Sequence, residues 1–219
     1  MRAWEFSPDE QEDPEEFTRR CAQVGDLYLA APALATAGTH VVSTDEKTGI
    51  QALERLAPAL PLAPGRPERQ EFNYDRHGTL CLTANMDVAT DPEGTWIIVC
   101  DQLNTHQSES LVRLVAAACD ITADLGVKGE SGILQSRATR RAFLEDPSHR
   151  IRFAYTPRHA SWMNQIEIWF GILVRRALKR ASFASLEELH QRLLAFIDYF
   201  NRTMAKPYRW TYTGRPLAA

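Results

Sequence analysis

Residues 96–101 read Trp96-Ile97-Ile98-Val99-Cys100-Asp101, five apolar side chains in a row closed by an acid. A strand wetted on one face alternates apolar and polar residues. An unbroken apolar run belongs instead to a strand covered on both faces, at the centre of a sheet with helices on either side. Working outward, Asp91-Pro92-Glu93-Gly94 is a turn ahead of the run. Thr39-His40-Val41-Val42-Ser43-Thr44-Asp45 is a β-branched strand that also ends in an acid. Two more strands are expected, Thr79 to about Val88 and Ile151 to Tyr155, the latter stopped by Pro157. Between and after them lie helical patterns. Ser108 to about Leu125 carries Leu111, Leu114, Val115, Ala118 and Ile121 on one stripe. Residues 126–149 read as a loop with a short helix, and Met163 to Arg180 as a long helix. The capping box Ser185-Leu186-Glu187-Glu188 opens a last helix with Leu186, Leu189, Leu193, Ile197 and Phe200 inward. Strands alternating with helices, without repeats, give an α/β layered fold.

Two stretches depart from that rhythm. Residues 1–37 form a helical appendage and linker: an acidic start, a helix from about Glu15 to Leu29 opened by Pro14, then an Ala-rich connection. Residues 46–77 contain Pro58, Pro61, Pro64 and Pro67 and little periodicity, and are expected to be one long excursion.

The 219 residues carry 25 Lys and Arg against 28 Asp and Glu, a formal charge of −3. That near-balance hides an asymmetry: residues 1–26 sum to −5, residues 27–136 to −7 and residues 137–219 to +9. The basic last third suits a polyanion partner, or equally an ordinary solvated helical face. No apolar run approaches the roughly 18 residues of a membrane span, and no secretory leader opens the chain, so a cytoplasmic protein without a membrane partner is expected. Cys81 and Cys100 sit in apolar runs and read as reduced core residues; no cysteine or histidine spacing matches a zinc site.

The chemistry rests on three acids. Asp45 and Asp101 close apolar strands, at the edge where open α/β sheets hold their ligands. Glu167 falls on the shoulder of the stripe Ile166, Trp169, Phe170, Leu173, Val174 and Ala177. Taken singly, a strand-end Asp can be a cap and a shoulder Glu can be an ordinary boundary residue. Taken together, converging carboxylates repel unless cations join them. Mg²⁺ uses one or two carboxylates and completes its shell with water and phosphate oxygens, and two such ions clamp the attacking and leaving oxygens of an in-line phosphoryl displacement.

Three blocks carry a resemblance. They are Val42-Ser43-Thr44-Asp45-Glu46-Lys47-Thr48-Gly49-Ile50-Gln51-Ala52-Leu53-Glu54-Arg55, then Val99-Cys100-Asp101-Gln102-Leu103-Asn104-Thr105-His106, then Tyr155-Thr156-Pro157-Arg158-His159-Ala160-Ser161-Trp162-Met163-Asn164-Gln165-Ile166-Glu167-Ile168-Trp169-Phe170. In this order they resemble bacterial insertion-sequence transposases of the mariner-like DDE superfamily, whose catalytic domain is RNase H-like. The likeness extends over residues 38–215, including Trp210-Thr211-Tyr212-Thr213-Gly214. It implies an RNase H-like mixed sheet flanked by helices. It also implies Asp45, Asp101 and Glu167 as the catalytic, metal-binding triad, Mg²⁺ or Mn²⁺ as a pair of ions, double-stranded DNA as substrate, and a homo-oligomer assembled on that DNA. The implied reaction is phosphodiester hydrolysis at the element's ends, followed by joining of the freed 3′-OH to target DNA. The alternative is a catalytically inactive remnant that binds DNA or full-length subunits.

The chain also departs from that pattern. Only residues 1–37 precede the first strand, where relatives carry helix-turn-helix modules, so an N-terminally truncated chain is expected. Asp87-Val88-Ala89-Thr90 runs directly into Asp91-Pro92, where a further strand and helix normally intervene. With one strand and one helix missing, the connection must cross two strand spacings, about 10 Å, which its residues span easily. The shortening is expected to leave Leu80 and Leu82 on an exposed edge. His106, five residues beyond Asp101, is a candidate nucleic-acid contact or simply a residue at a helix start. Arg175, Arg176, Lys179 and Arg180 are candidates to track phosphates or merely face solvent. Trp162 is a candidate for base stacking, whereas Trp169 belongs to the core stripe.

Overall fold

The computed structural model of the chain describes residues 13–86, 91, 93–158, 160–206 and 210–211. At its centre β3 (Thr95–Cys100) runs parallel to both neighbours, β1 (Thr39–Arg55) and β4 (Ile151–Tyr155). With β2 (Tyr74–Met86) the strand order is β2-β1-β3-β4. The apolar run at 96–100 is therefore an inner strand, as its pattern predicts. The chain passes from β2 across β1 to reach β3. Residues 87–90 and 92 of that connection, and with them the expected strand end at Val88, lie outside the described residues, as do residues 212–215 at the far end of the resemblance. The chain divides into two units, the first from Met1–Asp45, Asn85–Glu167 and Arg209–Ala219, the second from Glu46–Ala84 and Ile168–Tyr208.

The first unit is a three-layer sandwich. Alternation along each strand sends side chains to opposite faces. Val41, Ile97, Val99 and Ala154 meet Cys21, Val24 and Tyr28 of α1 (Pro14–Thr36), together with Ala160 and Met163. On the other face Ile98, Cys100, Phe153 and Tyr155 meet Val112 and Val115 of α2 (Glu109–Ala118), Leu144 of α3 (Arg137–Leu144) and Leu134. Helix α1 starts where Asp13 accepts a hydrogen bond from the Glu15 amide and Pro14 occupies the first turn. It continues through the Ala-rich segment expected as a linker, even past Pro32, because alanine favours helix strongly enough to absorb one missing amide bond. Helix α2 is shorter than expected. It ends at Ala118, where Asp120 takes a left-handed φ of 54°, and it buries Val112, Val115 and Ala116 while Leu114 faces solvent.

In the second unit the main correction concerns β1, which runs on to Arg55 with Ile50 and Ala52 buried. Residues 46–55, expected in the excursion, are thus strand. The excursion proper doubles back through antiparallel bridges at Leu60–Arg69 and Ala63–Arg66, so β2 returns beside β1. It displays Leu56, Leu60, Leu62 and Phe72 to solvent. Leu80 and Leu82 in β2 are half-buried, and Cys81, expected in the core, is exposed. Gly78 (φ +118°) lets β2 lie close to the last helix, since a Cβ there would stand 2.7 Å from Leu186 Cδ1.

The long helix expected over 163–180 is divided into a 3₁₀ turn (Ser161–Met163), α4 (Ile166–Leu173) and a π-helical turn (Val174–Leu178). Helix α4 begins in the first unit and continues into the second. In the second unit Trp169 stands edge-on to Phe200 of α5 (Leu186–Thr203), ring centres 6.1 Å apart, with Phe170 and Phe196 beside it. Ser185 caps α5 by accepting from the Glu188 amide, and Glu188 reaches back to the Ala184 amide. Phe196 is buried in α5, whereas Ile197 is only half-buried. No helix among the described residues is long and apolar enough to cross a membrane.

Candidate active site

The register of β1 against β3 joins residues 56 positions apart, from Thr39 with Thr95 to Ser43 with Val99. Asp45 and Asp101 have the same separation. Carried two residues further, the register sets them side by side on one face, about one strand spacing (~5 Å) apart. The β3–β4 register, Cys100 with Tyr155, carried one residue on, adds Thr156 as the third member of this row. The row lies at the carboxyl ends of parallel strands, on the face that carries Ser43 and Val99. Burial pushes the Cys100 thiol up, His106 opposes, and the charges of Asp101 and Asp45 each raise it further.

Each aspartate is held by its own partners. Asp101 Oδ1 accepts a hydrogen bond from the Leu103 amide (3.0 Å) and one from His106 Nδ1 (2.8 Å). Partial burial pushes the Asp101 carboxyl up, but these two bonds and the His106 charge outweigh it, so it ionises below the usual carboxylate range. His106 is itself buried, and its carbonyl accepts from the Tyr155 hydroxyl (2.7 Å). The segment carrying it is fastened from α3, where Arg137 Nε donates to Gln107 Oε1 and Arg140 Nε to the Gln107 carbonyl, both at 2.7 Å. The sequence offers His106 as a candidate nucleic-acid contact; in the structure its Nδ1 is committed to Asp101.

Asp45 is buried, and its Oδ2 lies 3.3 Å from Asn164 Nδ2, which also donates to the Thr44 carbonyl at 2.8 Å. The Asn164 carbonyl accepts the Glu167 amide (3.1 Å), so one residue touches the strand bearing Asp45 and closes the first turn of the helix bearing Glu167. Beside them Tyr28 of α1 hydrogen-bonds Ser43 Oγ (2.8 Å) and accepts from the Gln165 amide (3.3 Å). Burial pushes the Tyr28 hydroxyl up to about 12, against the opposing Ser43 bond. Sequence reasoning missed Asn164, Thr156 and Tyr28 as parts of the site. The only signal for the first two is a polar residue where its neighbours are buried.

Glu167 stands exposed in the first turn of α4. Among the described residues no three His, Cys, Asp or Glu side chains stand together as a ready metal cage. The β1–β3 register, extended past Ser43 and Val99, brings Asp45 and Asp101 to the same end of the sheet, and no described contact gathers Glu167 with them. The donor set still suits a hard divalent cation, which takes one or two carboxylates and keeps several waters. Next to the pair, Asn164 Oδ1 and Thr156 Oγ1 are buried polar atoms without a hydrogen-bond partner, the kind of groups that hydrate or orient such an ion. The chemistry of these residues fits a hydrated hard divalent cation at Asp45 and Asp101.

Arg175, Arg176, Lys179 and Arg180 are all exposed, on and just after the π-helical turn in the second unit, where Arg180 pairs with Glu68 (3.3 Å). Trp162 projects from the 3₁₀ turn with 53% exposure, while Met163 beside it is fully buried.

Compared with known proteins, residues 76–190, just over half the chain, match the family model described as DDE superfamily endonuclease. No curated protein and no solved structure matches.

Proposed function

The chain belongs to the DDE superfamily endonucleases, and from that premise we propose that it is the catalytic domain, over residues 38–215, of a mariner-like insertion-sequence transposase. The observation that carries this reading is the parallel register of Ser43 with Val99, which, carried two residues on, sets Asp45 beside Asp101. In it Asp45, Asp101 and Glu167 hold divalent cations, Mg²⁺ or Mn²⁺, two being the number that in-line phosphoryl displacement uses. Bound there, the metal supplies Lewis-acid stabilisation of the attacking and leaving oxygens. The chain's own residues prepare for this. His106 and the Leu103 amide fix Asp101 through Oδ1, which reserves Oδ2 for the ligand, and they keep the carboxylate ionised. Arg175, Arg176, Lys179 and Arg180 bind backbone phosphates of double-stranded DNA, positioning without sequence choice. The enzyme works in the cytoplasm as a homo-oligomer on its element ends, hydrolysing a phosphodiester there and joining the 3′-OH to target DNA.

The test is nicking of inverted-repeat DNA with Mg²⁺ or Mn²⁺. Losing several kcal/mol of transition-state stabilisation predicts a drop of about 100-fold or more in Asp45→Ala, Asp101→Ala and Glu167→Ala. Cleavage unaffected by all three changes sinks the reading. The exposed position of Glu167 favours the second reading, an inactive remnant that binds DNA or full-length subunits. Salt-sensitive DNA binding without cleavage is its signature.

A further inference from the structure

Two side chains beside the acids, one in the row and one from the turn ahead of α4, have no evident structural return. Asn164 is 0% exposed and Thr156 1% exposed, yet Asn164 Oδ1 and Thr156 Oγ1 have no hydrogen-bond partner. Buried polar atoms in this state are uncommon and ask for a reason. The Asn164 amide is not simply reversed. Its Nδ2 faces two acceptors, the Thr44 carbonyl and Asp45 Oδ2, so the oxygen is forced to the opposite side. Thr156 is likewise fixed. Its amide donates to the Cys100 carbonyl (2.9 Å) and its own carbonyl accepts from Gln102 Nε2 (2.9 Å), which ties its backbone to the strand end bearing Asp101. Each orphaned oxygen therefore belongs to a neighbour of one aspartate, Asn164 by direct contact and Thr156 by register. A valine in place of Thr156 has nearly the same shape and hides no hydroxyl, so packing alone does not call for threonine.

We propose that Asn164 and Thr156 are positioning residues for the hydration shell of a divalent cation seated on Asp45 and Asp101. Asn164 Oδ1 accepts a hydrogen bond from a metal-bound water on one side. The Thr156 hydroxyl serves as donor or acceptor to such a water on the other. Asn164 also touches Asp45 through its side-chain Nδ2 and, through its backbone carbonyl, accepts the Glu167 amide, so one residue contacts both the acid-bearing strand and the helix turn bearing Glu167. This inference rests on the reading of Asp45 and Asp101 as the metal-holding pair.

Mn²⁺ titration of the full chain, read by the loss of free-ion electron paramagnetic resonance signal, tests it without DNA or turnover. Outer-shell substitutions typically cost 10- to 100-fold in metal affinity, and a loss of that order is expected in both Asn164→Ala and Thr156→Val. Thr156→Val is the decisive variant because removing an unpartnered buried hydroxyl leaves the melting temperature at or above the wild-type value. Its weakened Mn²⁺ binding then has no explanation in damaged folding. If both variants bind Mn²⁺ as tightly as the wild type while Asp45→Ala and Asp101→Ala do not bind, the inference is wrong and the acid pair stands. If Mn²⁺ binding is indifferent to Asp45→Ala and Asp101→Ala, the proposed metal site fails, and this inference with it.

Discussion

The two faces of the sheet in the first unit are built from the same three parallel strands, yet they differ in kind. Under α2 and α3, Ile98, Cys100, Phe153 and Tyr155 make a continuous apolar layer with Val112, Val115, Leu134 and Leu144. Under α1 the layer starts the same way, with Val41, Ile97, Val99 and Ala154. Toward the strand ends it becomes polar, through Ser43, Asp45, Asp101 and Thr156. Alternation alone separates the two, since neighbouring residues of one strand serve opposite faces. One face can then carry the stability while the other tolerates buried polar groups that a single core would reject.

Substitutions on each face should therefore separate stability from chemistry. The largest stability effect is expected from Leu144→Ala on the apolar face, about 2–5 kcal/mol in denaturant unfolding, with DNA nicking per folded molecule unchanged. Next, Asp101→Asn on the polar face should reduce nicking by about 100-fold with a smaller loss of stability than Leu144→Ala. Equal losses of stability from the two substitutions would erase the distinction. Tyr28→Phe should cost about 1–3 kcal/mol, because Ser43 Oγ and the Gln165 amide lose their shared partner. It should also change the alkaline limb. With the folded hydroxyl pushed up to about 12, the wild type keeps this contribution below about pH 10 and loses it as pH rises toward 12, whereas the variant declines less steeply, retaining only the losses from the buried Tyr155 and Cys100. His106→Phe should raise the Asp101 carboxyl, since partial burial then acts without the opposing ring. The stability that this carboxylate contributes is present above the ordinary Asp range of about 3.9 and disappears as pH falls through the depressed folded value. In the variant this acid-dependent loss should shrink, so its stability should fall less steeply below about pH 4, which acid titration followed by circular dichroism would detect. The smallest effect, within about 0.5 kcal/mol, is expected for Leu114→Ala, because that leucine is 64% exposed on α2.

The sequence reveals the faces better than the lengths of the elements. The run at 96–100 and the strand at Ile151–Tyr155 are legible because their neighbours cover both sides, and α5 is legible from its cap. The continuation of β1 is not, because Glu46, Lys47, Thr48 and Gly49 look like a turn and only Ile50 and Ala52 mark the inward positions. Leu114 misleads because an apolar side chain at helical spacing need not face the core; Val115 is buried as expected, joined by Val112 and Ala116. In the candidate site the aspartates announce themselves by closing apolar runs. Asn164 and Thr156 do not, since nothing in a sequence says that a polar side chain will be buried without a partner. Glu167 is legible as a shoulder residue, and in the structure it is exposed in the first turn of α4.

The 56-residue offset between β1 and β3 has a consequence for how such chains can vary. The pairing of Asp45 with Asp101 is measured along the strands, not along the chain between them. The excursion through residues 56–73 and the connection into β3 can therefore lengthen or shrink without separating the two acids. A single residue gained within Thr95–Cys100 is a different event, because it turns Asp101 to the face owned by α2 and α3. Chain length can thus change in the loops but not within those six residues, and the distance between the acids in a sequence is a poor guide to whether they still meet.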